Sequence, residues 1–138
     1  MVYYRLIDHT ADFGLHIMGA DPRDLFTKAG LAMFDVLTDV ATLKGLDSQT
    51  IRIDGDGWPD LMVNWLRELL YLWAGEEKLV HSIHIEQINE TAVAAQVAYD
   101  VFLPEHHRIK NEIKAVTYHQ IQVKPVGSGW EARIIFDV

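Results

Sequence analysis

Residues 58–75 read WPDLMVNWLRELLYLWAG, and their pattern predicts a helix. The segment opens with a proline in its first turn, where the missing N–H has no helical partner to lose, and it ends at Gly75. Asn64, Glu68 and Tyr71 form a polar stripe along one side. The wider opposite face is apolar, which is typical of a helix packed on a sheet. Its members are Leu61, Met62, Trp65, Leu66, Leu69, Leu70 and Trp73.

The chain before this helix predicts a hairpin followed by another helix. Residues 3–7 have strand composition, and residues 13–19 alternate apolar and small or polar side chains up to Gly19. Asp21-Pro22 supplies a helix cap and a proline at the first helical position, and apolar residues then recur at helical spacing to about Leu37. A brief strand at 50–54 leads into the turn-rich DGDG.

The chain after the second helix changes to strand patterns, at about 79–89, 91–103, 113–123 and 130–137. Within the third of these, alternation places Lys114, Val116, Tyr118 and Gln120 on one face. Two helices and six or seven strands, connected mostly as hairpins, predict the α+β class, with the helices packed on a mostly antiparallel or mixed sheet. No linker or repeat divides residues 1–138, so we expect a single domain.

Composition and charge restrict the class of function. The chain has 138 residues, of which 49% are hydrophobic, and 12 Lys and Arg against 20 Asp and Glu give a net charge of −8. Such a surface disfavours direct high-affinity nucleic-acid binding. The absence of cysteine excludes disulfides and thiolate chemistry. With no signal-like start and no membrane-spanning apolar run, we expect a cytoplasmic protein that binds no membrane.

Common catalytic signatures are absent: the chain contains no HExxH, GxSxG, GxGxxG or GxxxxGK. Three short stretches hold most of the remaining candidate chemistry, namely DHTAD at 8–12, EIKAVTYH at 112–119 and IIFDV at 134–138. Taken alone, Asp8 and Asp12 suit a turn, because aspartate caps turns readily. Lys114 alone suits an exposed edge strand, and Glu68 alone suits a solvated helix face.

The last two residues combine two carboxylates. Asp137 contributes its side chain and Val138 its main-chain carboxylate, beside one another at the end of a predicted strand. Two negative charges so close together are costly unless a cation or a basic group lies between them. Hard oxygen ligands of this kind suit calcium, with magnesium and manganese as alternatives.

Four motifs, in order, resemble the archease family over essentially the whole length: DHTADFGLHIMG, NWLRELLYL, KAVTYH and the ending FDV. The resemblance implies an archease-like fold and a cytosolic protein that activates an RtcB-type RNA ligase of tRNA splicing and RNA repair. In that family the activator promotes guanylylation of the ligase and multiple turnover, and is not itself an enzyme.

The resemblance also assigns roles to individual residues. Asp12 and Asp137 would be ligands of a divalent metal, completed by the terminal carboxylate of Val138. Lys114 would lie near that metal. Asp8, His9 and Glu68 are expected as supporting or partner-contacting residues, since a ligating carboxylate usually needs hydrogen bonds to hold it.

Two other functions stay open at this stage. A chaperone or modulator of RNA methyltransferases is the second reading of the resemblance. A freestanding metal-dependent hydrolase acting through the same carboxylates is a third, although the sequence shows no clear general base and no phosphate-gripping loop.

Overall fold

The computed structural model describes residues 4–9 and 12–138, with the backbone only for Asp8 and His9. It contains two α-helices, one 3₁₀ turn (Val40–Thr42) and eight strands in the described part of the chain. In chain order these are β1 (Arg5–His9), β2 (Asp12–Gly19), α1 (Pro22–Leu37), β3 (Asp47–Asp54), α2 (Trp58–Ala74), β4 (Lys78–Asn89), β5 (Ala92–Val101), β6 (Ala115–Val116), β7 (Gln122–Val126) and β8 (Gly129–Asp137).

Both helices begin and end close to where the sequence predicts. Asp21 caps α1, its side chain accepting a hydrogen bond from the Asp24 N–H at 2.8 Å, and the helix ends before Thr38. Gly57 precedes α2 with a positive φ of 95°, and Gly75 follows the last helical residue. No helix in the described part of the chain is long and apolar enough to cross a membrane.

The strands form two sheets with antiparallel pairing throughout. The larger sheet has the order β1-β2-β8-β6, and β7 also pairs with β8; the smaller has the order β3-β5-β4. The α+β class with two helices packed on antiparallel strands is confirmed. The first hairpin is also confirmed, although β1 extends to His9, and Tyr3 lies outside the described residues.

The prediction of one continuous strand at 113–123 is wrong. Only β6 and β7 are strands, and both pair with β8, on successive stretches of it. Five residues, 117–121, lie opposite only two residues of β8. Thr117 still donates its N–H to the Ile135 carbonyl at 3.0 Å, and the chain leaves the sheet after it. Lys114 precedes β6 and is exposed, whereas Val116 is buried, so the predicted shared face does not form. The extra residues turn Tyr118 towards α2, where its hydroxyl donates a hydrogen bond to Asp60.

The core lies against the inner face of the larger sheet, and each helix packs on strands of both sheets. Inside it, the indole N–H of Trp65 on α2 donates to the Phe26 carbonyl on α1 at 3.0 Å, which satisfies the only polar atom of that buried side chain. Five alternate residues of β2 and β8 contribute fully buried side chains to the inner face: Leu15, Ile17, Ala132, Ile134 and Phe136.

Candidate functional site

Four strands of the larger sheet end in one cross-strand row, which we call the sheet tip: His9, Asp12, Asp137 and Ala115. Register pairs His9 with Asp12, Asp12 with Asp137, and Asp137 with Ala115. Residues directly opposite each other in antiparallel strands project to the same face. The structure therefore places the two aspartates that the sequence analysis selected side by side, from opposite ends of the chain.

An aromatic pair supports the tip from the other face of the sheet. Phe13 and Phe136 are neighbours of the two aspartates in sequence and are partners in register, and their rings stack with centroids 5.3 Å apart. Phe136 is fully buried. This packing fixes the two strand ends, so the spacing of Asp12 and Asp137 is imposed by the core.

Lys114 reaches the tip through its backbone. Its N–H donates to the Asp137 carbonyl at 2.8 Å, while its side chain is exposed. The KAVTYH and FDV stretches thus meet at this hydrogen bond. The predicted position of Lys114 near a bound metal stays a prediction.

The tip places two carboxylates on one face, and carboxylate oxygens are the ligand type that hard divalent cations prefer. Asp12 is half-buried, and both Asp137 and Val138 are exposed. Among the side chains that the structure describes, no group of three or more His, Cys, Asp or Glu forms a metal cluster. Calcium and magnesium take six or more ligands, so further oxygens would have to come from the Val138 carboxylate, water or a partner.

The remaining predicted residues are placed less fully. Asp8 and His9 lie on β1 beside Phe13 and Asp12 in register, and their side chains are outside the described part of the chain. Glu68 is half-buried on α2 and has no place in the cross-strand row of the tip. Supporting roles for all three stay predictions.

A second cluster, which the sequence analysis missed, joins α2 to the segment after β6. We call it the tyrosine cluster: Asp60, Asn64, Arg67 and Tyr118. The Tyr118 hydroxyl donates to Asp60 Oδ1 at 2.6 Å, the Asn64 amide donates to Asp60 Oδ2 at 3.3 Å, and the Arg67 guanidinium lies 4.7 Å from the centre of the Tyr118 ring. These contacts hold the 117–121 segment against the helix.

Hydrogen bonding shifts the ionisation of this cluster in opposite directions. The Tyr118 hydroxyl, with the Asp56 N–H as the second cause, lowers the pKa of Asp60. The Asp60 carboxylate raises the pKa of Tyr118, because the hydroxyl proton is held by the hydrogen bond. At neutral pH the pair is therefore a tyrosine O–H donating to an ionised carboxylate.

The tyrosine cluster is continuous with the sheet tip. The Arg67 Nε–H donates to the Val116 carbonyl at 3.1 Å, and the residue before Val116 is Ala115 of the tip row. The NWLRELLYL and KAVTYH stretches are therefore in contact at this hydrogen bond, and the DHTAD and FDV stretches are in contact at the tip. The sequence does show polar residues on α2, Asn64 and Arg67, and an aromatic residue, Tyr118, in a polar segment. Hydrophobic periodicity gives no indication that these distant residues contact one another.

Fold and site together define a class: a small domain of two helices and two antiparallel sheets, in which residues of the four motifs meet near one end of the larger sheet. The chain belongs to the archease family, because the sequence model of that family, described as "Archease protein family (MTH1598/TM1083)", matches residues 4–138.

Relatives with the same name cover nearly the same length. The chain is 32% identical to "Protein archease" of Methanosarcina mazei over 98% of this chain and 95% of the relative. It is also 32% identical to "Protein archease" of Pyrococcus furiosus, with 95% of each chain covered.

Two solved structures share the fold. The solution structure of protein 1598 from Methanobacterium thermoautotrophicum has a TM-score of 0.82 at 26% identity and covers 100% of both chains. The crystal structure of an archease, described as a possible chaperone, from Thermotoga maritima has a TM-score of 0.63 at 18% identity, with 97% and 96% covered.

Proposed function

We propose that this protein is a non-enzymatic activator of an RtcB-type RNA ligase, acting in tRNA splicing and RNA repair by promoting guanylylation of the ligase and its multiple turnover. The observation that carries the proposal is the register of the sheet tip, where Asp12 lies opposite Asp137 and the Lys114 N–H binds the Asp137 carbonyl. Membership of the archease family supports this class of partner, and the paired carboxylates of the tip support the proposed metal chemistry.

The proposed chemistry of the tip follows from its charges. Like charges directly opposite each other in a sheet are destabilising, and a cation between them reverses the sign of that interaction. A calcium ion, or magnesium or manganese in its place, would supply that positive charge between Asp12, Asp137 and the Val138 carboxylate. Calcium affinity would remain modest without additional ligands.

The protein's own residues would then act by docking and positioning. The acidic tip is attracted to a ligase cleft built for phosphates, and complementary charge accelerates such an encounter. The stacked Phe13–Phe136 pair keeps the tip preorganised, so that binding does not require ordering the strand ends. Asp8, His9, Glu68 and the Lys114 side chain are proposed as contacts to the partner around this centre.

The test is a ligation assay with RNA in excess over the ligase of the same organism and this protein below one equivalent. We expect multiple turnovers with the wild type and their loss with Asp12→Ala and Asp137→Ala. Asp54→Ala is the matched control, because Asp54 is an exposed aspartate at the end of a strand in the other sheet. An extension after Val138 should also abolish turnover, since it removes the terminal charge.

Unchanged turnover in the presence of the wild-type protein would refute ligase activation. Loss of turnover in Asp54→Ala as well would refute the specific role of the tip. Circular dichroism of each variant checks that the fold persists, which we expect because the tip residues are not in the core.

A second candidate is a chaperone or modulator of RNA methyltransferases. It is favoured by an exposed apolar surface around a cavity of about 470 Å³ at the opposite sheet, where Leu46, Val101 and Leu103 are all exposed. The Thermotoga maritima relative is described as a possible chaperone. This function predicts binding that is insensitive to Asp12→Ala and sensitive to Leu46→Ser, measured by co-sedimentation with the methyltransferase.

A further inference from the structure

The outer face of the larger sheet, opposite the helices, carries a row of basic residues, two arginines with a histidine between them. Arg5 pairs with His16, and His16 pairs with Arg133, so that these three project from neighbouring strands to one face. Gln122 of β7 continues the row on the other side of Arg133. We call Arg5, His16 and Arg133 the basic row. It is a local exception in a chain whose net charge is −8.

Contacts within the face leave part of this positive charge uncompensated. Glu131 accepts from His16 at 2.9 Å and lies 3.7 Å from the Lys124 ammonium. Both of its carboxylate oxygens are thereby engaged. The His16 hydrogen bond, then the Lys124 charge and then the charge of Arg133 contribute to lowering the pKa of Glu131. Neither Arg133 nor Arg5 makes a side-chain hydrogen bond or a close ion pair within the part of the chain that the structure describes. Arginine presents five N–H donors suited to a carboxylate or a phosphate.

A cleft of about 650 Å³ opens beside Arg133 on this face. Ile7, Ile121 and Ile135 give it an apolar floor. Its polar rim is formed by Gln120, Gln122, Lys124, Glu131 and Arg133, and the one acid among them, Glu131, is already engaged by His16 and Lys124. The departure of residues 117–121 from the sheet contributes Ile121 to the wall. The cleft can therefore hold an apolar side chain on its floor and bind an anionic side chain at its rim through hydrogen-bond donors and positive charges.

The chemistry of the face favours an acidic peptide over a nucleic acid. Single-stranded nucleic acids are held by stacking on aromatic rings, and the described outer-face positions of β1, β2, β7 and β8 carry no phenylalanine, tyrosine or tryptophan. The basic row is also short, and Asp12 and Asp137 lie on the same face. A nucleic acid carries a phosphate on every nucleotide and would be repelled by those aspartates. A peptide with separate carboxylates and an apolar side chain fits both the polar rim and the apolar floor of the cleft.

We propose that the cleft beside Arg133 and Lys124 is an interaction surface for an acidic, partly apolar segment of a partner protein, with carboxylates on the rim and an apolar side chain on the isoleucine floor. The surface is separate from the metal-binding chemistry of the tip and does not depend on it. It would give the protein a second, oppositely charged contact, and so fix the orientation in which the tip meets its partner.

The experiment is a titration of the ¹⁵N-labelled protein with the peptide Glu-Glu-Leu-Glu-Glu-Leu at low ionic strength, followed by amide chemical shifts. We expect shifts at β7, β8 and β1, and binding that weakens with salt. Arg133→Gln and Lys124→Gln should each weaken binding by about fivefold, the upper range for one exposed ion pair. Arg52→Gln is the matched control, an exposed strand arginine of the other sheet, and should bind as the wild type.

Several outcomes would overturn the proposal. Equal binding of Gln-Gln-Leu-Gln-Gln-Leu would show that the floor alone binds, and equal weakening by Arg52→Gln would show a non-specific charge effect. Tighter binding of a six-nucleotide oligouridylate at the same amides would assign the face to RNA. Concentration-dependent shifts of these amides without peptide would assign it to a second copy of the chain. Absence of shifts with the acidic peptide would remove the proposal altogether, whatever the ligation assay shows.

Discussion

The end of β5 and the sheet tip differ in what surrounds their aspartates. Asp100, at the end of β5, is 5% exposed, and its two carboxylate oxygens accept from the Lys44 N–H at 2.6 Å and the Leu46 N–H at 2.9 Å. At the sheet tip, Asp137 is exposed and stands opposite Asp12, another carboxylate. The first arrangement satisfies a charge with the protein's own backbone. The second concentrates charge where a cation or partner can reach it.

The pKa of Asp100 reflects these backbone hydrogen bonds. Burial alone would raise the pKa of Asp100, but the N–H groups of Leu46, Lys44 and Gly45, together with the charge of His107, outweigh burial and lower it. The carboxylate therefore ties the segment after the 3₁₀ turn to β5. An aspartate of this kind is explained by folding, whereas two aspartates placed opposite each other at a strand end are an arrangement that a function can use.

The largest expected effect is the loss of stability in Asp100→Ala. Removing the carboxylate leaves two N–H groups without their charged acceptor, and we expect the free energy of unfolding to fall by about 3 kcal/mol. Urea unfolding followed by circular dichroism measures it. The matched change at the tip, Asp137→Ala, should alter stability by less than about 0.5 kcal/mol. Equal losses in the two variants would erase the distinction between the two regions.

The second prediction uses pH to separate the same two aspartates. Because the folded-state pKa of Asp100 lies below its unfolded value, its contribution is fully present above the unfolded pKa of about 3.9 and is lost as pH falls through the lower folded pKa. The difference in unfolding free energy between wild type and Asp100→Asn should therefore be constant from pH 7 to about 5 and shrink below about 4. A difference that grows on acidification would contradict this assignment.

The fold was largely predictable because its local signals agree with its packing. The proline and glycine boundaries of α2 and the cap of α1 at Asp21 lie where the sequence predicts them. The break at residues 117–121 was not predictable, since alternation continues through KAVTYHQI and the contacts that hold Tyr118 against α2, with Asp60 and Arg67, are distant in sequence. The division of the strands into two sheets is likewise a long-range property.

The candidate site shows the same limit. Asp12 and Asp137 were selected by family resemblance and by the doubled carboxylate at 137 and 138, and only the strand register shows that they are opposite each other. Asp100 was not selected, although it is the most buried aspartate among the described side chains. Residue type does not reveal whether a carboxylate meets backbone N–H groups or another carboxylate. That distinction requires the fold.

The third prediction concerns calcium and applies to the tip alone. At a calcium concentration ten times the dissociation constant, the wild type should gain about 1.4 kcal/mol of stability, reversed by a chelator. Asp137→Asn should lose this gain, while Asp54→Asn, an exposed strand-end aspartate of the other sheet, should keep it. Thermal unfolding with and without calcium is the measurement. A wild type whose thermal unfolding does not change with calcium, magnesium or manganese would refute the proposed metal-binding role of the tip.

The smallest expected effect lies in the tyrosine cluster, which adds an intermediate kind of aspartate to the comparison. Asp60 is held by a side chain, Tyr118, in addition to a backbone N–H from Asp56. In Tyr118→Phe the pKa of Asp60 should rise towards its ordinary value, because the first cause of its lowering is removed, but it should stay below that value through the Asp56 N–H.

The measurement for this last prediction is a titration of the side-chain carboxyl resonances by NMR. Asp24 is the internal control: burial would raise its pKa, yet the Ala20 N–H and Lys28 lower it, and neither contacts Tyr118. The reciprocal variant, Asp60→Asn, should lower the pKa of Tyr118 towards its ordinary value. If the pKa of Asp60 is the same in Tyr118→Phe as in the wild type, the 117–121 segment is not held against α2 in solution. The continuity between the tyrosine cluster and the sheet tip would then rest on the Arg67 to Val116 hydrogen bond alone.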